Sequence, residues 1–197
     1  MDAFRLRETV VADYAEYVQS FLAILDPRIR AFVDTQLAEG MLWPDPLIQL
    51  SPAYQPAETV AALVDQGVLH STCGQLFQLG GRPLQLHQHQ RSALDLAAQG
   101  LSYVVTTGTG SGKSLAYLIP IVDHVLRHAP EAGGVRAIIV YPMNALINSQ
   151  EQALTRFADN LGGPDACPVR FARYTGQETE AEKRDLREQP PHILLTN

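Results

Sequence analysis

The chain has 197 residues, of which 46% are hydrophobic and 18% charged, and its net charge is −6. This composition belongs to a globular protein with room for one or two domains and a real core. It excludes a transmembrane helix, because no apolar run reaches the length of a span. The net charge does not suggest a nucleic-acid binder, although such binding needs only a local basic face. The charge is also uneven: residues 1–79 carry 4 Lys/Arg and 10 Asp/Glu, whereas residues 80–197 carry 11 of each. The acidic first part is a poor candidate for phosphate contact, and the neutral second part stays open to it. The N-terminus, MDAFRLRETVV, has no apolar block ahead of a cleavage pattern, so a cytoplasmic protein with no membrane partner is expected. Two distant cysteines, Cys73 and Cys167, fit a reducing compartment without a disulfide framework.

In chain order, Val10, Val11, Tyr14, Tyr17, Val18, Phe21, Leu22 and Leu25 share one face of a helix over 8–25. DPRIRAFVDTQLAEG predicts a second helix, with Asp26 as N-cap, Pro27 in the first turn, Ile29, Phe32, Val33 and Leu37 as its stripe, and Gly40 as its stop. WPDPLIQLSPAYQP, with four prolines in fourteen residues, reads as an extended connector. A short helix follows, with Val60, Leu63 and Val64 on one face, stopped at Gly67. Beyond residue 80 the rhythm changes. A helix over 89–99 leads into the β-rich run SYVVTT, a glycine-rich loop and a helix over about 112–128. VRAIIVYP is a short apolar strand, followed by a helix over about 143–158. VRFARYTG alternates, HILLTN is apolar, and the charged ETEAEKRDLREQ between them suits a surface helix. Strands alternating with helices imply βαβ units around a parallel sheet, an α/β fold. The expected division is a helical accessory region at 1–80 and an α/β lobe at 81–197, with the boundary around GGRP.

The loop TGTGSGKS, Thr107 to Ser114, follows the expected strand SYVVTT and opens a helix, the context in which a phosphate-binding loop becomes credible. Polyphosphate must reach several backbone N–H groups at once. Gly108, Gly110 and Gly112 permit that approach, with Thr107, Thr109 and Ser111 completing the turn. The helix N-terminus adds partial positive charge. Lys113 can reach the outer phosphates, and the Ser114 hydroxyl can ligate Mg²⁺. The implied ligand is a nucleoside triphosphate with Mg²⁺; a plain Gly/Ser turn is the competing reading. Pro120 falls inside the following helix and is expected to kink it.

Further motifs bear on what the nucleotide drives. Gln90 precedes Lys113 by 23 residues, and a Gln amide can pair bidentately with an adenine edge; alone, a Gln at a helix start is usually just solvated. In VYPMNALINSQ, Pro142 opens a helix directly after a strand, at the sheet edge where ligands of such sheets bind. YTGQ and LLTN also place small polar residues just past strands. Taken in order, HQ, TGTGSGKS, YPMNALINSQ, YTGQ and ILLTN resemble the motifs of superfamily-two DEAD/DEAH-box helicases, over about residues 84–197. More narrowly, they resemble the first RecA-like lobe of the bacterial DNA-helicase branch. The resemblance implies ATP as the nucleotide, read at its adenine by Gln90, and a phosphate loop from Thr107 to Ser114. It implies nucleic-acid backbone contacts from Pro142, Met143, Asn144, Gln150, Gly176 and Thr196. The sequence Pro142-Met143-Asn144-Ala145 departs from the Pro-Thr-Arg-Glu of the RNA-directed branch, which implies DNA as the partner. The family's upstream aromatic, which packs on adenine, has no match at its spacing. Phe77 is the nearest aromatic and is not assigned to the site.

The sequence holds no Asp-Glu-x-His, no second lobe and no arginine finger, all of which the family uses to hydrolyse ATP. Lys113 is then the one residue with a catalytic role to assign. The expectation is an N-terminal part of an ATP-dependent helicase that holds ATP but turns it over poorly alone, the rest of the same protein being its partner. Two alternatives stand. Another phosphate-loop ATPase, such as a small-molecule kinase, would need a substrate lid and show no nucleic-acid stimulation. A non-enzymatic lobe would only bind nucleotide or a partner. His70 and Cys73 have ligand-like spacing, but without a second pair they read as a turn beside a buried thiol.

Overall fold

The computed structural model describes residues 2–41, 53–128 and 134–197. Most of the proline-rich connector therefore lies outside the described residues. The chain divides into two compact units, Met1–Pro52 and Ala53–Asn197.

The first unit contains α1 (Ala3–Ser20) and α2 (Pro27–Ala38). Both begin as their sequences dictate. The Asp2 carboxylate accepts from the Phe4 and Arg5 amides (3.0 and 3.3 Å), and Asp26 accepts from Arg28 and Ile29 (2.8 and 3.4 Å) with Pro27 in the first turn. The expected helix over 8–25 ends earlier, with Phe21 as its C-cap. The proline ring at 27 disfavours helical geometry at Asp26, so one continuous helix is not available.

The second unit opens with β1 (Pro56–Thr59), α3 (Val60–Asp65), α4 (Ser71–Leu76), β2 (Gln78–Leu79), β3 (Arg82–Pro83), β4 (Gln85–His87) and α5 (Gln88–Ala98). Strand β1 pairs antiparallel with β4, and β2 with β3. Gly80 and Gly81 link β2 to β3 with φ of 57° and 73°, the paired left-handed geometry of a tight hairpin turn that only glycine adopts without strain. The expected boundary at GGRP is thus the inside of a hairpin. Val60, Leu63, Cys73, Leu76 and Phe77 sit in one core with Leu118, Ile119, Ile147 and Ile193 from the α/β part. Asn160 reinforces this by donating to the Leu76 and Gln78 carbonyls (2.8 and 3.1 Å). The contacts therefore divide the chain at 52/53 and place residues 53–80 in the lobe. Apolar burial decides this, and a dipeptide of glycines cannot report it.

The remainder runs α6 (Leu115–His128), β5 (Ala137–Val140), α7 (Asn144–Ala158), a 3₁₀ turn (Asp159–Leu161), β6 (Phe171–Arg173), α8 (Glu180–Glu188) and β7 (Ile193–Thr196). The three strands form a parallel sheet in the order β5-β7-β6, with Ile138 opposite Leu194 and Ala172 opposite the same residue. This is the α/β arrangement that the alternation of strands and helices predicts.

The strand expected at SYVVTT is not formed. Residues 101–108 carry no ladder bonds, although Tyr103, Val105 and Thr107 are half-buried while Val104 and Thr106 are exposed. An alternating run becomes a strand only when a neighbour accepts its hydrogen bonds, and among the described residues none lies beside it. Pro120 sits inside α6, which continues through it. The ring leaves the Ala116 carbonyl without its helical donor, and the Tyr103 hydroxyl donates to that oxygen instead at 2.8 Å.

Candidate nucleotide site and strand-end edge

The phosphate loop joins Tyr103–Thr107 to α6, whose first helical residue is Leu115. Among the described residues, the amides of 108–114 find no acceptor, whereas Leu115 and Ala116 already donate to the Gly112 and Lys113 carbonyls (3.0 and 3.1 Å). A run of free N–H groups at the head of a helix is a cradle for an anion. Lys113 folds over the same loop, its Nζ donating to the Thr107 and Gly108 carbonyls at 2.9 and 2.7 Å. The Thr107 and Ser111 hydroxyls are bonded at 2.5 Å, which closes the loop upon itself. Among the described residues the Ser114 hydroxyl makes no hydrogen bond, which leaves its oxygen able to ligate a hard cation such as Mg²⁺.

Gln90 braces this loop from below. It is buried, and its Nε2 donates to the Gly112 carbonyl at 2.8 Å and to the Ser111 carbonyl at 3.4 Å. Its Oε1 accepts from the His87 amide at 2.8 Å, capping α5. Gly112 has φ of 72°, and a Cβ placed there would lie 2.6 Å from Gln90 Nε2. The position therefore excludes side chains twice, through backbone geometry and through close approach. The bidentate adenine pairing expected of Gln90 is not what this geometry presents, because the amide spends its donors on the loop.

Sequence spacing missed Tyr54. Its ring lies 5.4 Å from the His87 ring and 5.7 Å from that of His89, and its hydroxyl lies 3.5 Å from the Thr109 carbonyl. His89 in turn places Nε2 3.0 Å from the Ser111 carbonyl. An aromatic group therefore stands over the loop, 36 residues before Gln90 rather than at Phe77. Phe77 is fully buried, packed edge-on against Phe157 at 5.0 Å. The proline-rich stretch before Tyr54 hid it: a residue delivered by an irregular segment has no periodic signature. His70 and Cys73 have local roles. His70 Nδ1 accepts from Thr72 to cap α4 (3.2 Å), and burial, with the nearby Asp123 charge, pushes the Cys73 thiol up to about 12.

The second group of expected residues lies where β5, β6 and β7 end. Pro142 and Met143 are exposed in the turn from β5 to α7. Met143 occupies the N-cap of α7 without a side-chain bond, and the first turn carries no acid; the Leu146 and Ile147 amides donate to the Met143 carbonyl (3.1 and 3.3 Å), and those of Asn144 and Ala145 find no acceptor among the described residues. Asn144 Oδ1 accepts from Asn197 Nδ2 at 2.9 Å, and Thr196 Oγ1 donates to the Tyr174 carbonyl at 2.7 Å, tying the three strand ends together. Gly176 is exposed in the turn after β6, a turn held by Glu178, whose Oε2 accepts from the Thr175 amide and hydroxyl (2.5 and 2.7 Å). Arg173 joins that turn to α7, donating to Asn148 Oδ1 at 2.6 Å and pairing with Glu151 at 3.2 Å. Gln150 lies six residues beyond Asn144 on α7, so the two point to different sides of the helix, and its buried Oε1 has no hydrogen-bond partner among the described residues. A groove of about 550 Å³ below the edge is lined by Glu151, Glu178, Glu182, Asp185 and Glu188, with Arg173, and such a lining repels polyanions.

The sequence and the fold are both matched in known proteins. The DEAD/DEAH box helicase family matches residues 87–197, more than half of the chain. The chain belongs to the DEAD/DEAH box helicase family. The Druantia protein DruE of Escherichia coli (strain UMEA 4076-1) is 34% identical over 157 residues, covering 72% of this chain and 9% of DruE. Two solved helicases share the fold with a TM-score of 0.60 each. One is MrfA bound to DNA and AMPPNP, at 23% identity, covering 83% of this chain and 21% of that one. The other is the DEAD-box helicase Mss116 bound to ssRNA and UDP-BeF, at 20% identity, covering 76% of this chain and 30% of that one. This helicase-family chain thus spans a small part of each of these proteins, and its α/β unit is a RecA-like lobe. No helix among the described residues is long and apolar enough to cross a membrane.

Gln90→Ala separates bracing from base reading. Loss of a buried, fully bonded amide is expected to destabilise the lobe by roughly 1–3 kcal/mol, measured by urea unfolding. A residue that only reads a base would leave stability unchanged.

Proposed function

We propose that this chain is the nucleotide-binding lobe of an ATP-dependent helicase or translocase that moves along DNA. The observation that carries the reading is the run of amides from 108 to 114 that finds no acceptor among the described residues, closed by Lys113 and Ser114, in a chain of the helicase family. The amides and Lys113 bind the phosphates, and the free Ser114 hydroxyl holds Mg²⁺, which supplies charge neutralisation when bound. Tyr54, with His87 and His89, offers an aromatic face to the base. Gln90 selects adenine by giving up its long 3.4 Å contact to Ser111 for the base edge. Pro142, Met143, Asn144, Gly176 and Thr196 meet the nucleic-acid backbone through amides and small polar groups, which carries no sequence preference. The reading of DNA over RNA rests on Pro142-Met143-Asn144. For residues 1–197 alone the activity proposed is binding, since the sequence holds no Asp-Glu-x-His to orient water.

The test is ATPase activity of the intact protein with single-stranded DNA, single-stranded RNA or neither. Stimulation by DNA above that by RNA is expected. Turnover indifferent to both would favour a small-molecule kinase or a plain ATPase.

A further inference from the structure

The phosphate loop and the strand-end edge are joined by a short path of bonds through two tyrosines. Tyr117 lies on the first turn of α6, and its amide donates to the Ser114 carbonyl at 3.3 Å. Tyr141 directly follows β5 and directly precedes Pro142. The strand's alternation sets its direction: Ile139 is buried while Ile138 and Val140 are exposed, so Tyr141 shares the inward face with Ile139. Both tyrosines are half-buried against the core, and their hydroxyls are hydrogen-bonded to each other.

From Tyr141 the path continues to the edge. Its amide donates to the Thr196 carbonyl at 2.9 Å, and the Thr196 hydroxyl donates to the Tyr174 carbonyl at 2.7 Å, just before Gly176. Burial, together with the bond to Tyr117, holds the Tyr141 phenol well above the usual tyrosine range, so it stays protonated and able to donate. The phenol pair is the one side-chain bond between α6 and the residue that opens the Pro142 turn among the described residues. Packing alone would be served as well by two phenylalanines. The hydroxyls add a direction-dependent bond that responds when α6 or the turn shifts.

We propose that the Tyr117–Tyr141 hydroxyl pair is a positioning link that couples occupancy of the phosphate loop to the geometry of the nucleic-acid-facing strand ends. The proposal rests on the functional reading above. A ligand at either site that displaces Ser114 or Pro142 acts on the same bond, so the coupling is reciprocal in binding. Neither tyrosine touches the proposed ligands; each acts through its neighbours.

The experiment measures ATPase activity of the intact protein with and without single-stranded DNA, for wild type, Tyr117→Phe, Tyr141→Phe and the double variant. Rates without DNA are expected to stay within about twofold of wild type, whereas DNA stimulation falls about fivefold in each single variant. The double variant is expected to match the singles, because each single already removes the one bond. Thermal unfolding of each variant supplies the control for a general loss of structure. Wild-type stimulation in both singles would overturn the link. So would a parallel fall of stimulated and unstimulated rates, or losses that add in the double variant. Wild-type ATPase that ignores DNA would overturn the strand-end reading, and absence of wild-type ATPase the phosphate-loop reading. Each removes the link with it, and each is recognised before any variant is compared.

Discussion

Lys113→Ala is expected to lower nucleic-acid-stimulated ATP turnover in the intact protein on the order of 10²-fold or more. The side chain is held ready: its ammonium donates to two carbonyls of its own loop, Thr107 at 2.9 Å and Gly108 at 2.7 Å. Those bonds fix the ammonium above the cradle of free amides. A phosphate oxygen carries a negative charge where a carbonyl oxygen carries only a partial one, so the ammonium is attracted more strongly to the proposed nucleotide than to its own loop. Alanine removes that charge where the transferring phosphoryl group develops its own. The fold has little at stake, because Gly108 is exposed and Lys113 half-exposed. Lys113→Arg is expected to fail almost as badly, since a planar guanidinium cannot substitute for a compact ammonium inside a tight loop. A coupled ATPase assay with unfolding curves checks both. Unchanged turnover in Lys113→Ala would remove the loop from the proposed site.

Phe77→Ala is expected to destabilise the second unit by about 3–5 kcal/mol. The ring is fully buried, meets Phe157 of α7 edge-on at 5.0 Å, and lies in a core whose members come from α3, α4, α6, α7 and β7. Its own carbonyl accepts from Leu84 across the β2–β3 hairpin at 3.1 Å. The cavity would therefore open inside the lobe, between its short helices and α7. A single cooperative urea transition should move to lower denaturant, and nucleotide binding should be lost along the same curve. Two transitions, of which only one shifts, would restore a domain boundary near residue 80. A chain beginning at residue 81 is expected to remain unfolded for the same reason, and one beginning at Ala53 to fold.

Much of the local structure was legible in the sequence because its causes are local. Asp26 and Pro27 announce α2, and the polar-charged run ETEAEKRDLREQ announces α8, where Thr179 and Glu182 cap one another. The glycine-rich loop was legible because its glycines, lysine and hydroxyl stand at fixed spacing between a β-rich run and a helix. Less legible were elements whose existence depends on a distant partner. SYVVTT alternates as a strand does, yet carries no ladder here. The four short strands before α5 were not foreseen, since runs of two to four residues carry too little periodicity to read.

The sequence by itself determined what one segment holds: the glycine-rich loop, its lysine and its serine, and the order of motifs that marks the family. The tertiary structure decided what comes together across the chain. It turned GGRP from a boundary into a hairpin, drew residues 53–80 into the lobe, buried Phe77 and set Tyr54 over the loop instead. It also turned Gln90, expected to read an adenine edge, towards the loop, and joined Tyr117 to Tyr141. The physical reason is the same in each case. Backbone geometry and capping act within a few residues and are written in order. Burial and side-chain bonding depend on which surfaces meet, and spacing along the chain does not encode that.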